Sequence, residues 1–248
     1  MAKKRVSLTL DEKIVEKVDH EADRTDLNRS QMVEDIIGQY FRQRGLDTAV
    51  ILCGDDEART LELYEGKPVL SHILDHLSEE GFSRVILVAG QNKVIEQNFG
   101  SEYSGLALEY IYEEEPQGNA VALSKAESKI RDDFAVLNGH VISDVDFQHM
   151  LNVHREEGAL ATMALTAVEN PSDYGVAELK GREILGFEEK PEEGDEPSRL
   201  INAGAYIFSP EVFSRLEENS LEAAFSRFAS ESELYGYIYG GEWKDIDE

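Results

Sequence analysis

The chain has 248 residues, 41% of them apolar, with 51 Asp/Glu against 24 Lys/Arg and a net charge of −27. That length holds one large or two smaller domains with proper cores, the apolar content excludes disorder, and no apolar run approaches the ~20 residues of a membrane span. A single cysteine, Cys53, excludes an internal disulfide and a cysteine-rich zinc site, and the basic start "MAKKRVSLTLDEK" lacks a signal peptide's apolar block and cleavage site, so a cytoplasmic location and no membrane partner are expected.

The charge is uneven. Residues 1–45 hold nine Lys/Arg and nine Asp/Glu, so the whole excess lies after residue 45. A Lys-poor acidic surface suits a salt-loaded, halophilic cytoplasm, where screening removes self-repulsion. It says little about substrate, but it divides the chain in two.

"RVSLTL" (5–10) alternates polar and apolar residues as a half-buried strand does. Asp11 is placed to cap a first helix with Ile14, Val15, Val18 and Ala22 on its apolar side. After a turn at Thr25–Leu27, Asn28 caps a second helix carrying Met32, Val33, Ile36, Ile37, Tyr40 and Phe41. "RQRGLDT", with Gly45, is a short polar connection. From Thr48 strands alternate with helices. Strand candidates are "TAVIL", "RVILVAG", "ALEYIYE", "FAVLNG" and "LATMALTAV", with helices at 68–80, 92–99, 119–130 and 146–157. This alternation predicts a mostly parallel sheet covered on both faces. "GVAELKGREILGFEEKP" and "INAGAYIFS" add an antiparallel extension, and "EEKPEEGDEPS" is a polar loop.

A lone six-residue strand needs partners for its backbone groups. Pairing with the same strand of a second copy supplies them, with Val6, Leu8 and Leu10 facing the shared core and Arg5, Ser7 and Thr9 facing outward. The segment "KKRVSLTLDEKIVEKV…LNRSQMVEDIIGQY" resembles the ribbon-helix-helix (CopG/Arc-like) family of DNA-binding regulators over about forty residues. The resemblance implies a homodimer or higher oligomer on double-stranded DNA. Arg5, Ser7 and Thr9 would read base edges in the major groove. Asn28, Arg29 and Ser30 would hold a phosphate at a helix N-terminus, and Lys3 and Lys4 would attract the backbone.

The acidic remainder carries "EGKPVLSHILDHLSEEGFSRVILVAG", "PQGNAVAL", "FAVLNGHVISD", "YGVAEL", "GFEEKP", "INAGAYIFSPEVF" and "WKDID". In that order these segments resemble the sugar-phosphate nucleotidyltransferases. The implied fold class is α/β: a small ribbon-helix-helix domain, residues 1–45, as a swapped dimer, then a Rossmann-like mixed-sheet domain, 48–248, with helices on both faces. The family's chemistry joins a nucleoside triphosphate to a sugar 1-phosphate, using a backbone cradle, cations and carboxylate-held magnesium.

In the phosphate turn "ILCGDDEART", Gly54 and Arg59 match the family's pattern, while Asp55, Asp56, Glu57 and Ala58 replace small residues and a threonine. Acidic side chains there repel a leaving pyrophosphate, and their Cβ atoms crowd it. Lys67 is kept as a phosphate partner. Of the two metal aspartates, one is kept as Asp245 after Trp243, and His140 replaces the other. Asp144 is either a substitute ligand or a helix cap, and His140 either a ligand for a softer metal or a solvated strand end. Tyr174, Gly175, Glu189, Lys190, Asn202 and Gly204 match segments that contact the sugar phosphate, and Gly118 and Asn119 lie in the loop beside the nucleobase.

Two functions follow from the resemblances. One is a DNA-binding transcriptional regulator whose second domain no longer catalyses, requires no cofactor, and senses a nucleotide or sugar nucleotide or only oligomerises. The other is an active sugar-1-phosphate nucleotidyltransferase, dependent on Mg, carrying an accessory DNA-binding and dimerisation domain; its remnant catalytic residues are Arg59, Lys67 and Asp245.

Overall fold

A computed structural model of the chain describes residues 6–25, 27–43, 45–54 and 57–246, with the backbone alone for 38–43 and Glu57. Lys3, Lys4, Arg5, Asp55 and Asp56 lie outside the described residues, as do the side chains of Tyr40 and Phe41. The chain divides into two compact units, Met1–Arg44 and Gly45–Glu248.

In the first unit, Asp11 caps α1 (Glu12–Arg24) by accepting from the Lys13 amide at 2.9 Å. Helix α2 (Arg29–Gln43) begins with a reciprocal cap. Asn28 Oδ1 accepts from the Gln31 amide at 3.1 Å, and Gln31 Oε1 accepts from the Asn28 amide at 2.9 Å. The helices meet through Val18, Ala22 and Met32, with Val33 against them. Residues 6–10 form no strand within one chain; the expected ribbon takes its partner strand from a second copy. Their backbone groups have no neighbouring strand there, and Val6, Leu8 and Leu10 remain 70, 58 and 40% exposed. Ile14, Ile36 and Ile37, expected on the apolar faces, are likewise exposed.

The second unit runs β1 (Thr48–Leu52), α3 (Glu57–Leu61), β2 (Leu63–Tyr64), β3 (Lys67–Pro68), α4 (Val69–Glu79), β4 (Arg84–Gly90), α5 (Val94–Phe99), β5 (Glu102–Tyr103), β6 (Leu106–Glu113), α6 (Asn119–Ser124), β7 (Phe134–Asn138), β8 (Val141–Ser143), α7 (Phe147–Glu157), β9 (Ala161–Ala167), β10 (Gly175–Lys180), β11 (Glu183–Glu189), β12 (Leu200–Phe208), α8 (Leu221–Ser230), β13 (Leu234–Ile238) and β14 (Trp243–Asp245). Ten strands form one sheet in the order β10-β11-β13-β9-β12-β7-β1-β4-β6-β5. The β7-β1-β4-β6 block is parallel, and β12 joins β7 and β9 antiparallel.

The period-two alternation of β1 sends its residues to opposite faces. Ala49 and Ile51 join a core under α4 and α7, with Leu74, Leu77, Phe147 and Leu151. Val50 and Leu52 join one under α6 and α8, with Leu123, Phe225 and Phe228. Helices therefore cover both faces, and the sheet is mixed.

Two local expectations are corrected. The helix expected over 119–130 stops at Ser124 and resumes only as a 3₁₀ turn, Glu127–Lys129, which brings Ile130 into the core ahead of β7. Helix α7 is capped by Asp146, whose carboxylate accepts from the His149 amide at 2.7 Å; Asp144 is not its cap. Asp144 instead packs against Gly241, where an added Cβ would lie 1.8 Å from its Oδ1.

Candidate functional site

The C-terminal ends of parallel strands are where open α/β sheets hold ligands. Here the ends of β1, β4, β6 and β7 open into a cleft of about 840 Å3. Because the strand order places β6 to one side of β1 and β12 to the other, the cleft crosses the sheet. Glu113 lies at the β6 end, Gly54 and Arg59 after β1, and Asn202 and Gly204 toward β12.

The chain leaves β1 through Gly54 at φ +69°, and Arg59 follows on the short α3. Thr60 Oγ1 donates to the Cys53 carbonyl at 3.3 Å, which ties α3 to the strand end. Gly139 permits β7 to pass this corner, since a Cβ there would sit 3.0 Å from the Leu52 carbonyl oxygen.

At the β12 end, Asn202 Nδ2 donates to the Tyr206 hydroxyl at 2.7 Å, and its Oδ1 accepts from the Gly204 amide at 3.0 Å. Burial pushes the Tyr206 phenol well above its ordinary range. Trp243 on β14 donates through Nε1 to the Ala203 carbonyl at 3.3 Å and meets Tyr174 edge-on at 5.3 Å. Pairing of β14 with β8 sets Asp245 opposite Val141, one residue beyond His140. The enclosing cleft raises the Glu189 carboxyl by desolvation and then by the nearby Glu222, with Lys190 opposing.

Gly118 and Asn119 serve a packing role in addition to lining the cleft. A Cβ at Gly118 would lie 2.2 Å from the Asn219 carbonyl oxygen, so only glycine allows that approach. Asn119 Oδ1 accepts from the Leu221 amide at 2.7 Å, and its Nδ2 donates to Glu222 Oε1 at 3.0 Å. The amide thus fixes the first turn of α8 against the cleft.

Of the expected ligand contacts, Gly54, Arg59, Gly118, Asn119, Tyr174, Gly175, Glu189, Lys190, Asn202, Gly204 and Asp245 line this one cleft. Lys67 does not; its ammonium pairs with Asp75 of α4 at 2.5 Å. Sequence reasoning passed over Glu113, Asn138, Asp173, Ser220 and Glu222, which also line it. Glu113 closes the expected strand β6, the position that the strand-end rule flags, whereas Glu222 sits on α8, which the strand pattern does not indicate.

The donors do not fit magnesium. Asp245 and His140 offer one hard oxygen and one imidazole, whereas magnesium takes carboxylate and water oxygens. Among the described residues no three His, Cys, Asp or Glu side chains cluster as a metal site.

In the first unit, Ser7, Thr9, Asn28, Arg29 and Ser30 are all exposed. Arg29 grips Asp19 of α1 with two bonds, Nε to Oδ1 at 2.6 Å and Nη2 to Oδ2 at 2.7 Å. The guanidinium holds the Asp19 carboxyl below its usual range. No described helix is long and apolar enough to cross a membrane.

Comparison with known proteins matches residues 54–246 to the family described as "Nucleotidyl transferase" and residues 4–44 to "Ribbon-helix-helix protein, copG family". The mannose-1-phosphate guanylyltransferase catalytic subunit beta of Drosophila pseudoobscura pseudoobscura is 38% identical over 196 residues, covering 75% of this chain and 52% of that protein. The bifunctional protein GlmU of Methanococcus vannielii is 33% identical over 223 residues, covering 80% and 51%. The chain spans about half the length of the curated relatives it matches. A solved UDP-glucose pyrophosphorylase from Acinetobacter baumanii superposes with a TM-score of 0.70 at 18% identity, over 81% of this chain and 88% of that one. At that identity the likeness speaks for the fold alone.

Proposed function

The chain belongs to the nucleotidyl transferase family and carries a ribbon-helix-helix domain ahead of it, and on that premise we propose that it is a homodimeric transcriptional regulator. DNA is read by the first unit. The cleft of the second binds a nucleotide or sugar nucleotide and no longer turns it over.

One observation carries the reading of the cleft. The cleft sits where open α/β sheets hold ligands, yet its lining is acidic. Among the described residues five carboxylates line it, those of Glu113, Asp173, Glu189, Glu222 and Asp245, against the two cations Arg59 and Lys190. A transferase must stabilise a pyrophosphate as it leaves, and this lining, followed in sequence after Gly54 by Asp55, Asp56 and Glu57, opposes that charge. Signalling requires the ligand to bind differently with and without DNA, and the coupling is reciprocal.

The test is operator binding in molar potassium chloride with sugar nucleotides and nucleotides titrated in. A several-fold change in DNA affinity with one of them is expected; no change with any would remove the sensing role. A second reading, a working transferase, is favoured by the retention of Arg59, Lys190, Glu189 and Asp245 around one cleft. Pyrophosphate release from a triphosphate and a sugar 1-phosphate, abolished in Asp245→Ala, would establish it.

A further inference from the structure

We infer that Asp19 competes with DNA for Arg29, so that the first unit carries its own brake on phosphate binding. The inference rests on the reading of that unit as the part that binds DNA. It adds a residue that sets how tightly, and with what salt dependence, the unit does so.

Arg29 is the first residue of α2, and Asp19 lies midway along α1. The fold brings together two residues ten positions apart. The first turn of α2 carries no acidic residue, although the positive end of a helix favours one. Asp19 supplies that charge from the neighbouring helix. Its carboxylate is spent on one edge of the guanidinium, with Nε donating to Oδ1 at 2.6 Å and Nη2 to Oδ2 at 2.7 Å. A guanidinium holds a phosphate by the same two-pronged geometry. The other edge, Nη1 with Nη2, meets no acceptor among the described residues. A phosphate coming to Arg29 therefore has two approaches. On the first edge it must displace Asp19, and on the second it lies beside a like charge. Either way the carboxylate opposes it.

The magnitudes make Asp19 a brake and not a lock. Both side chains are open to water, 60% exposed for Arg29 and 41% for Asp19, so the pair is screened and DNA can displace it. Its larger effect is on salt dependence. Counterions leave when a free cation neutralises a phosphate. If Arg29 trades Asp19 for a phosphate, the released carboxylate recruits a cation in turn, which offsets the gain. In a segment whose nine Lys/Arg are matched by nine Asp/Glu, residues 1–45, one cation per protomer is a sizeable part of the attraction.

The experiment measures binding of a mixed-sequence duplex by the full-length protein and by Asp19→Asn over a series of potassium chloride concentrations. Phosphate contacts are indifferent to sequence, so the operator is not needed. Asp19→Asn should bind up to about fivefold more tightly per protomer at low salt, the ceiling for an exposed ion pair. Its log–log salt slope should steepen by up to about two per dimer. Glu21→Gln is the control. It removes the same charge from the same helix but frees Arg24, its partner at 2.8 Å, instead of Arg29. In an Arg29→Ala background Asp19→Asn should do no more than Glu21→Gln does. Sedimentation checks that each variant keeps the dimer, and Asp19→Ser repeats the measurement should Asn disturb it. An unchanged slope, an equal shift with Glu21→Gln, or weaker binding by Asp19→Asn would overturn the role of Asp19 while leaving the unit a DNA-binding one. If the unaltered protein binds no duplex at any salt, the DNA reading itself falls, and this inference with it.

Discussion

Among the described residues, helices α1 and α2 enclose three buried apolar residues, Val18, Ala22 and Met32, whereas the sheet of the second unit is packed on both faces. A unit of about forty residues has too little interior to hold itself together and usually needs an oligomer, a disulfide or a metal. Here the apolar residues it cannot cover, Val6, Leu8, Leu10, Ile14, Ile36 and Ile37, stay exposed in one copy. A second copy is the partner proposed for them. The acidic unit buries two large apolar cores within the chain. If the proposed dimer forms, the stability of the first unit is tied to protein concentration.

That contrast can be broken most completely by Leu8→Asp. A charge placed in the shared core has no solvation there, so sedimentation should show the dimer lost and DNA binding gone. The unfolding transition of the second unit should not move. The converse is Phe225→Ala. Phe225 is fully buried, with ring contacts to Tyr206 at 4.9 Å and Phe187 at 5.7 Å. Its loss should cost about 3–5 kcal/mol in chemical denaturation, with the affinity of the first unit for DNA unchanged.

Acid should act on the second unit by another route. His154 is 2% exposed and bonded through Nδ1 to Thr162 Oγ1 at 2.9 Å and through Nε2 to Ser209 Oγ at 3.0 Å. Desolvation holds it down at about 4 from 6.5, with Asp133 opposing and Arg155 adding to the shift. The unfolded chain therefore takes up the proton first. The stabilisation is full above about pH 6.5 and is lost as pH falls toward 4, up to about 3 kcal/mol. Denaturation of the wild type and His154→Gln at pH 7 and pH 4.5 checks it: the variant should lose less on acidification.

The smallest effect sharpens the first unit. Arg5→Ala should weaken specific DNA binding by about 1–3 kcal/mol with the dimer intact. If about four to six phosphates are contacted per dimer, the log–log salt slope should be about −4 to −5. Normal operator binding by Arg5→Ala would remove the outward ribbon face as the reader.

Period and capping made much of the fold legible. Asp11 and Asn28 cap where the sequence places caps, and β1 and β4 keep the bounds of their apolar runs. The sequence analysis assigns no helix after β12, though α8 carries Leu221, Ala224, Phe225, Phe228 and Ala229 at helical spacing. In β13 the strand pattern is interrupted by Gly236, which packing demands, since a Cβ there would lie 2.7 Å from Leu165 Cδ1. The unread site residues have a different cause. Glu222 has no local signature, because only the fold brings α8 to the cleft, whereas Glu113 and Asn138 end β6 and β7, the positions that the strand-end rule flags. Lys67 shows the reverse: a matching motif whose side chain turns to Asp75.

The two hydrogen bonds from Asn119 to the start of α8 span 102 and 103 positions of sequence. Loops of that size close late in folding, after local helices have formed. A nascent or half-folded chain can therefore own its helical pair while still lacking a place for a small molecule. Ligand occupancy would then certify that the whole sheet has been assembled, a checkpoint that DNA binding by the short unit cannot supply.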